Sequence, residues 1–172
     1  MANIITKRND VVYVECACCC SIISIFNLDK DRWYIQHYGQ SEDSQADFEM
    51  NTSDFEAFLA AIFAIVDNNK YATNHIEEQA AVIYSEKYKE CISITVDDLG
   101  CVGILKYHKN FKKFMRHHSR LALNNSTEVV PYTKCKCDWE VLIEHDQLVA
   151  LDYNLNRLYD LVKLSEATNE NN

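Results

Sequence analysis

The sequence predicts an α+β fold, a single domain of antiparallel β-hairpins with about four helices. Three observations predict it. Apolar residues make up 48% of the 172 positions, enough to bury one real core. β-branched segments of period two alternate with segments of helical spacing. Only three glycines (Gly39, Gly100, Gly103) and one proline (Pro131) interrupt the chain, which leaves no room for a glycine-rich dinucleotide loop, a P-loop or a long linker. The domain is expected to span residues 1–164, with the polar residues 165–172 as a disordered tail.

Taken in order, residues 11–26 read VVYVECACCCSIISIF. Val12, Val14, Ile23 and Ile25 fall at period two, so this is strand, bent or broken near the cysteines. The polar residues 27–31 form a turn, and residues 33–38 (WYIQHY) a second strand, which completes a hairpin. After a polar loop over 40–47, Phe48 to Met50 form a short strand. Ser53 and Glu56 have capping-box spacing, and Phe55, Phe58, Leu59, Ile62, Phe63 and Val66 then give a largely buried helix ending at residues 67–69.

Residues 74–88 are read as a helix, because Asn74 with Glu77 suits a cap and Ile76, Ala80, Ile83 and Tyr84 keep helical period. Residues 91–96 (CISITV) and 101–107 flank a polar turn and give a hairpin. Asn110 then caps a short helix with Phe111, Phe114 and Met115 as its anchors. Residues 135–144 (CKCDWEVLIE) read as a strand, His145-Asp146 as a tight turn and residues 147–151 as the partner strand. An amphipathic helix follows through Leu155, Leu158, Tyr159 and Val162. A hairpin preceded by cysteine occurs three times, after Cys20, Cys91 and Cys137, a rhythm read as that of an ordinary α+β domain rather than a duplication.

No signal-peptide run opens the sequence and no segment has the length of a membrane span, so the expected place is a cytosol and no membrane is expected as a partner. Cytosolic thiols stay reduced, so the eight cysteines are read as core residues, metal ligands or a nucleophile, and not as four disulfides. Six of them form two groups, Cys16, Cys18, Cys19 and Cys20 in one and Cys135 with Cys137 in the other. Residues i and i+2 of a strand share a side, so Cys16, Cys18, Cys135 and Cys137 can converge if their strands are neighbours. Four thiolates suit a structural zinc ion, and Lys134 and Lys136 would offset part of the negative charge. Cys20 shares the phase of Cys18 and substitutes for Cys16, whereas Cys19 points the other way. Small buried hydrophobes are the other reading of the same residues, and Cys91 and Cys101 are assigned to the core outright. A catalytic cysteine helped by His37 or His145 is a third reading, without a hydrolase signature behind it.

Charge divides the chain. Lys and Arg number 17 against 26 Asp and Glu, a formal charge of −9. Residues 106–120 (KYHKNFKKFMRHHSR) hold six of the basic residues and no acid, which leaves a formal −15 elsewhere. On a helix Lys109, Lys112, Lys113 and Arg116 face solvent, a candidate contact for phosphate or an acidic surface or simply a solvated helix face. Glu42, Asp43, Asp47 and Glu49 lead an acidic stretch that either complements the helix dipole or meets a basic partner. Net acidity makes direct nucleic-acid binding an unfavoured reading.

The segment Cys16-Ala17-Cys18-Cys19-Cys20 before Ser21-Ile22-Ile23 resembles the opening of small phage proteins, in which a strand and turn like residues 27–38 follow. In overall character, a compact acidic cysteine-bearing α+β chain, the sequence also resembles phage-encoded anti-CRISPR inhibitors of the type II nuclease, at least one of which binds zinc. That resemblance implies a non-enzymatic inhibitor in the host cytosol that binds a basic nuclease surface and hinders DNA loading; it carries over no inhibitory residue. The expected function is therefore a non-catalytic binding protein, stabilised by zinc between the N-terminal strand and the Cys135–Cys137 strand. The alternatives are a zinc-containing, nucleic-acid-associated protein acting through the basic helix 106–120, and a cysteine-dependent enzyme.

Overall fold

The computed structural model describes residues 4–8, 11–16, 21–39, 46–71, 79–96, 102–117, 130–131 and 137–170. Two five-stranded antiparallel sheets carry the fold. The first is a meander in sequence order, β1 (Ile4–Arg8), β2 (Val11–Glu15), β3 (Ile22–Asp29), β4 (Arg32–Tyr38) and β5 (Ala46–Met50). It runs into helix α1 (Thr52–Tyr71). The second is built from β6 (Gln79–Ser85), β7 (Glu90–Val96), β8 (Val102–His108), β9 (Val130–Pro131) and β10 (Trp139–Glu144), in the order β10-β8-β7-β6-β9. Helix α2 (Phe111–His117) follows β8, and α3 (His145–Glu170) follows β10 directly. The expected α+β class with antiparallel hairpins is what the chain adopts, with three helices among the described residues.

Period two explains the first sheet. Val12 and Val14, Ile23 and Ile25, Trp33 and Ile35, and Phe48 and Met50 all turn one way and are all buried. Register aligns them across the strands, Val14 opposite Ile23 and Ile25 opposite Ile35, which lies opposite Phe48. A one-residue slip would turn this whole set to the other face. The second sheet contributes Ile92, Ile94, Leu105, Val141 and Ile143 to the same core. On its other face Val82, Cys91 and Phe114 form a smaller cluster under α2, with Tyr84 stacked on Phe111 at 3.9 Å. Cys91 is thus a core residue, as expected.

The two long helices lock the sheets together. α1 packs on β4 and β5 and also on β6 and β7; α3 packs on β1, β2, β8 and β10, and the helices pack on each other. Trp33 stacks on Phe55 at 3.8 Å, and Tyr159 of α3 lies 6.3 Å from both rings. Gly103 in β8 lies where α3 comes closest. A methyl group there would meet the Leu148 side chain at 2.5 Å, so the close approach requires glycine.

Several elements depart from expectation. Residues 79–85 are the strand β6, not part of a helix, because six consecutive pairings with β7, from Ala80–Thr95 to Ser85–Glu90, satisfy its backbone. His145-Asp146 is the first turn of α3, not a hairpin turn, and residues 147–151 are helical, with Leu148 and Leu151 buried in the core. The same helix continues to Glu170, through most of the stretch expected to be a disordered tail. The cap of α1 is Asn51, whose Oδ1 accepts the Asp54 N–H at 2.7 Å while its carbonyl accepts the Phe55 N–H at 2.9 Å. The expected Ser53 box lies two residues inside the helix. Strand β1 adds an edge that period two did not reveal. Asn110 does cap α2, accepting the Lys113 N–H at 3.0 Å.

Candidate interaction site

The meeting of the two sheets leaves a cleft of ≈ 640 Å³ between the β4–β5 end of the first sheet, the N-terminus of α1 and the β6–β7 turn. Four carboxylates wall it, Asp31, Glu49, Asp54 and Glu86, together with Tyr84 and Tyr88 and the cations Arg32 and Lys87. Each comes from a local cause. Asp31 sits in the β3–β4 turn, where its Oδ1 accepts the Thr52 N–H at 2.7 Å and ties that turn to α1. Glu49 is placed by the β5 register opposite Tyr34. Lys87 and Tyr88 lie in a tight turn closed by the Lys89 N–H to the Ser85 carbonyl at 2.9 Å, with Lys89 in the left-handed region at φ 56°.

Glu49 is the hub. It accepts the Tyr88 hydroxyl at 2.5 Å and lies 3.8 Å from Lys87 Nζ. The ammonium of Lys87 also stands 4.9 Å from the centre of the Tyr88 ring, and Arg32 stands 6.0 Å from that of Tyr34. Burial first, and then the charge of Glu49, raise the Tyr34 pKa above that of an ordinary tyrosine. Its hydrogen bond with Tyr88, then the Glu49 charge, raises Lys87 above the ordinary lysine range. Loss of solvation raises the Asp54 carboxyl, with Asp31 adding to it. The arrangement suits recognition of guanidinium or ammonium groups by carboxylates and aromatic faces together.

Of the expected acidic residues, Asp47 is exposed on β5, where its Oδ2 accepts the Gln36 amide at 3.2 Å, and Glu49 is half-buried in the cleft. Glu42 and Asp43 lie outside the described residues. Lys109, Lys112 and Lys113 are exposed around α2, as expected; Arg116 lies in α2, and its side chain is outside the described residues. Lys106, counted with the basic segment, is instead buried and lies 3.8 Å from Glu140. Lys87, Tyr84 and Tyr88 were missed because residues 74–88 read as helix. The adjacent Val82, Ile83 and Tyr84 were the strand signal that would have found them.

The cysteines are only partly brought together. Cys16 is buried at the end of β2, its N–H donating to the Ser21 carbonyl at 2.9 Å. Its sulfur accepts the Leu142 N–H at 3.5 Å, so the N-terminal hairpin does touch β10. Cys137 is half-buried on the far side of Trp139 from Leu142. The span from Trp139 to Leu142 alone is about 10 Å of strand. The chain still runs beside β8 at Asp138, whose N–H donates to the Tyr107 carbonyl at 2.8 Å. A zinc–thiolate bond is about 2.3 Å, so this geometry does not place Cys16 and Cys137 on one ion. Cys18, Cys20 and Cys135 lie outside the described residues, among which no group of three or more metal-ligating side chains is found.

His37 stacks on Trp139 at 4.8 Å, and Trp139 on Tyr107 at 5.4 Å. His37 is thus held in the sheet–sheet junction. Comparison with protein-family models, with curated proteins and with solved structures gives no match for this chain. No described helix is long and apolar enough to cross a membrane.

Proposed function

We propose that the protein is a non-catalytic binding protein that docks on a basic, nucleic-acid-processing partner. The resemblance of its sequence implies a type II CRISPR nuclease, whose DNA loading it would hinder from the host cytosol. The observation that carries the reading is the Glu49 cleft. The chain's own Lys87 already occupies a carboxylate-and-tyrosine seat there, 3.8 Å from Glu49 and 4.9 Å from the Tyr88 ring centre. A partner's lysine or arginine presented to Asp31, Asp54 and the neighbouring Asp47 meets the same chemistry. A formal charge of −9 steers such a partner in.

A structural zinc belongs to this proposal through Cys18, Cys135 and Cys137, with Cys20 as the substitute for Cys16, whose sulfur lies beside Leu142 of β10, several residues along the chain from Cys137. Metal analysis of untagged protein tests this part separately: one zinc per chain is expected, lost on Cys135→Ser, and metal-free protein with eight ordinary thiols refutes it.

The binding test is direct association with purified type II CRISPR nuclease, with and without guide RNA. Asp47→Lys, at an exposed position, with Glu49→Gln, which keeps an acceptor for Tyr88, is expected to weaken association at least about tenfold, roughly 1.4 kcal/mol. Absence of association with the wild-type protein refutes the named partner. Association unaffected by the two changes refutes the cleft as the seat. A second reading has its own observation, the exposed Lys109, Lys112 and Lys113 around α2. It predicts nucleic-acid affinity that falls steeply with salt and is lost on reversal of those three lysines.

A further inference from the structure

Helix α3 carries two apolar stripes. One, through Leu148, Leu151, Leu155 and Leu158, is buried in the core. The other runs through Val149, Tyr153, Leu161 and Leu164, which are 47%, 68%, 39% and 65% exposed. At 100° per residue, positions 149, 153, 157, 161 and 164 fall within a sector of about 120°, centred about 160° from the buried stripe. Helical amphipathicity of a single chain explains only the first. Tyr153 and Leu164 are the two most exposed large hydrophobic side chains among the described residues.

We propose that this outward stripe is a homodimer interface, in which the α3 helices of two copies pair antiparallel. The occupant is a second copy because four positions of this face, Tyr153, Arg157, Asp160 and Leu164, complement themselves in one register. Setting Tyr153 against Leu164 of the other copy places Arg157 against Asp160 of the other copy, and the two-fold axis repeats both pairs. The two most exposed apolar side chains then cover each other. Arg157 and Asp160, which form no ion pair among the described residues, then find opposite charges. An isologous contact requires such reciprocity, in which residue i meets j and j meets i. Antiparallel pairing also opposes the helix dipoles. The segment from Tyr153 to Leu164 is about 16 Å of helix, three turns of contact in each copy. The inference does not depend on the identity of any other partner.

Sedimentation velocity of the full chain over a wide range of concentration tests it. The wild-type protein is expected to sediment as a dimer. Tyr153→Glu with Leu164→Glu is expected to give a monomer with an unchanged far-UV circular dichroism spectrum, since both side chains are exposed. Arg157→Glu alone, or Asp160→Arg alone, sets like charges across the axis and weakens the dimer several-fold; the two together restore it. A wild-type monomer at every concentration overturns the proposal. So does a dimer that survives the two glutamates, and a combined charge swap that fails to restore pairing overturns this register.

Discussion

Gly103→Ala separates the packing of α3 from the intrinsic preferences of a strand. By those preferences alone the change is favourable, since alanine restricts the unfolded chain and stabilises by about 0.4–1 kcal/mol where the backbone accepts it. Gly103 lies in regular β8, opposite Ile143 and Val96, with no positive φ to forbid a side chain. What forbids it is Leu148. A Cβ would lie 2.5 Å from Leu148 Cδ1, 3.0 Å from Cγ and 3.1 Å from Cδ2, so the whole end of the side chain is in the way and no single rotation of one methyl frees it. Leu148 is 1% exposed, enclosed in the core. Overpacking of this kind costs about 1–3 kcal/mol, which outweighs the entropic gain and leaves a net loss of about 1–2 kcal/mol. For a chain of this size that lowers Tm by roughly 2–8 °C. Leu148→Ala alone costs about 2–5 kcal/mol through the cavity it leaves. In that background the alanine at 103 has room, and its effect is expected to change sign. Urea denaturation of the four proteins of this cycle measures the coupling directly. A Gly103→Ala penalty of the same size with and without Leu148 would refute the close approach of α3 to β8.

The capping of α1 is tested by Asn51→Ala, expected to cost about 1 kcal/mol in urea denaturation and more than Ser53→Ala, because the Asp54 N–H bonds to Asn51 Oδ1 at 2.7 Å. Burial, and then its hydrogen bond to Glu90 at 2.5 Å, raise the Tyr107 pKa far above that of an ordinary tyrosine. A group with a raised folded-state pKa contributes its stability below its unfolded pKa and loses it as pH rises, so the wild type is expected to lose stability above about pH 10. Tyr107→Phe is expected to flatten that alkaline slope, and an unchanged slope in Tm against pH would contradict the assignment. The two tryptophans are expected to rank by their indole nitrogens. Trp33 Nε1 donates to Thr52 Oγ1 at 3.3 Å, whereas the buried Trp139 Nε1 has no partner among the described residues. Trp33→Phe is therefore expected to cost about 1 kcal/mol more than Trp139→Phe in chemical denaturation.

What the sequence determined by itself is the set of elements whose period has one interpretation. Val12 with Val14 and Ile23 with Ile25 recur at period two, and a strand turns every second side chain the same way. The apolar residues from Phe55 to Val66 crowd nearly every face of a helix, which marks it as central. The 91–107 hairpin and the Asn110 cap were legible for the same local reasons. Tertiary structure decided the rest. Ala80, Ile83 and Tyr84 fit helical spacing as well as a strand, and pairing with β7 chose the strand. Residues 147–151 fit either state too; the space over Gly103, which Leu148 of α3 fills, accompanies the choice of helix. The cap moved from Ser53 to Asn51 because the Asp31 carboxylate, twenty-one residues away in the chain, accepts the Thr52 N–H and sets where α1 begins. The Glu49 seat joins a β5 residue to a turn nearly forty residues further on, and the Cys16 sulfur meets an amide 126 residues away. Local periodicity carries no information about such contacts, because they form only when the two sheets pack into one core.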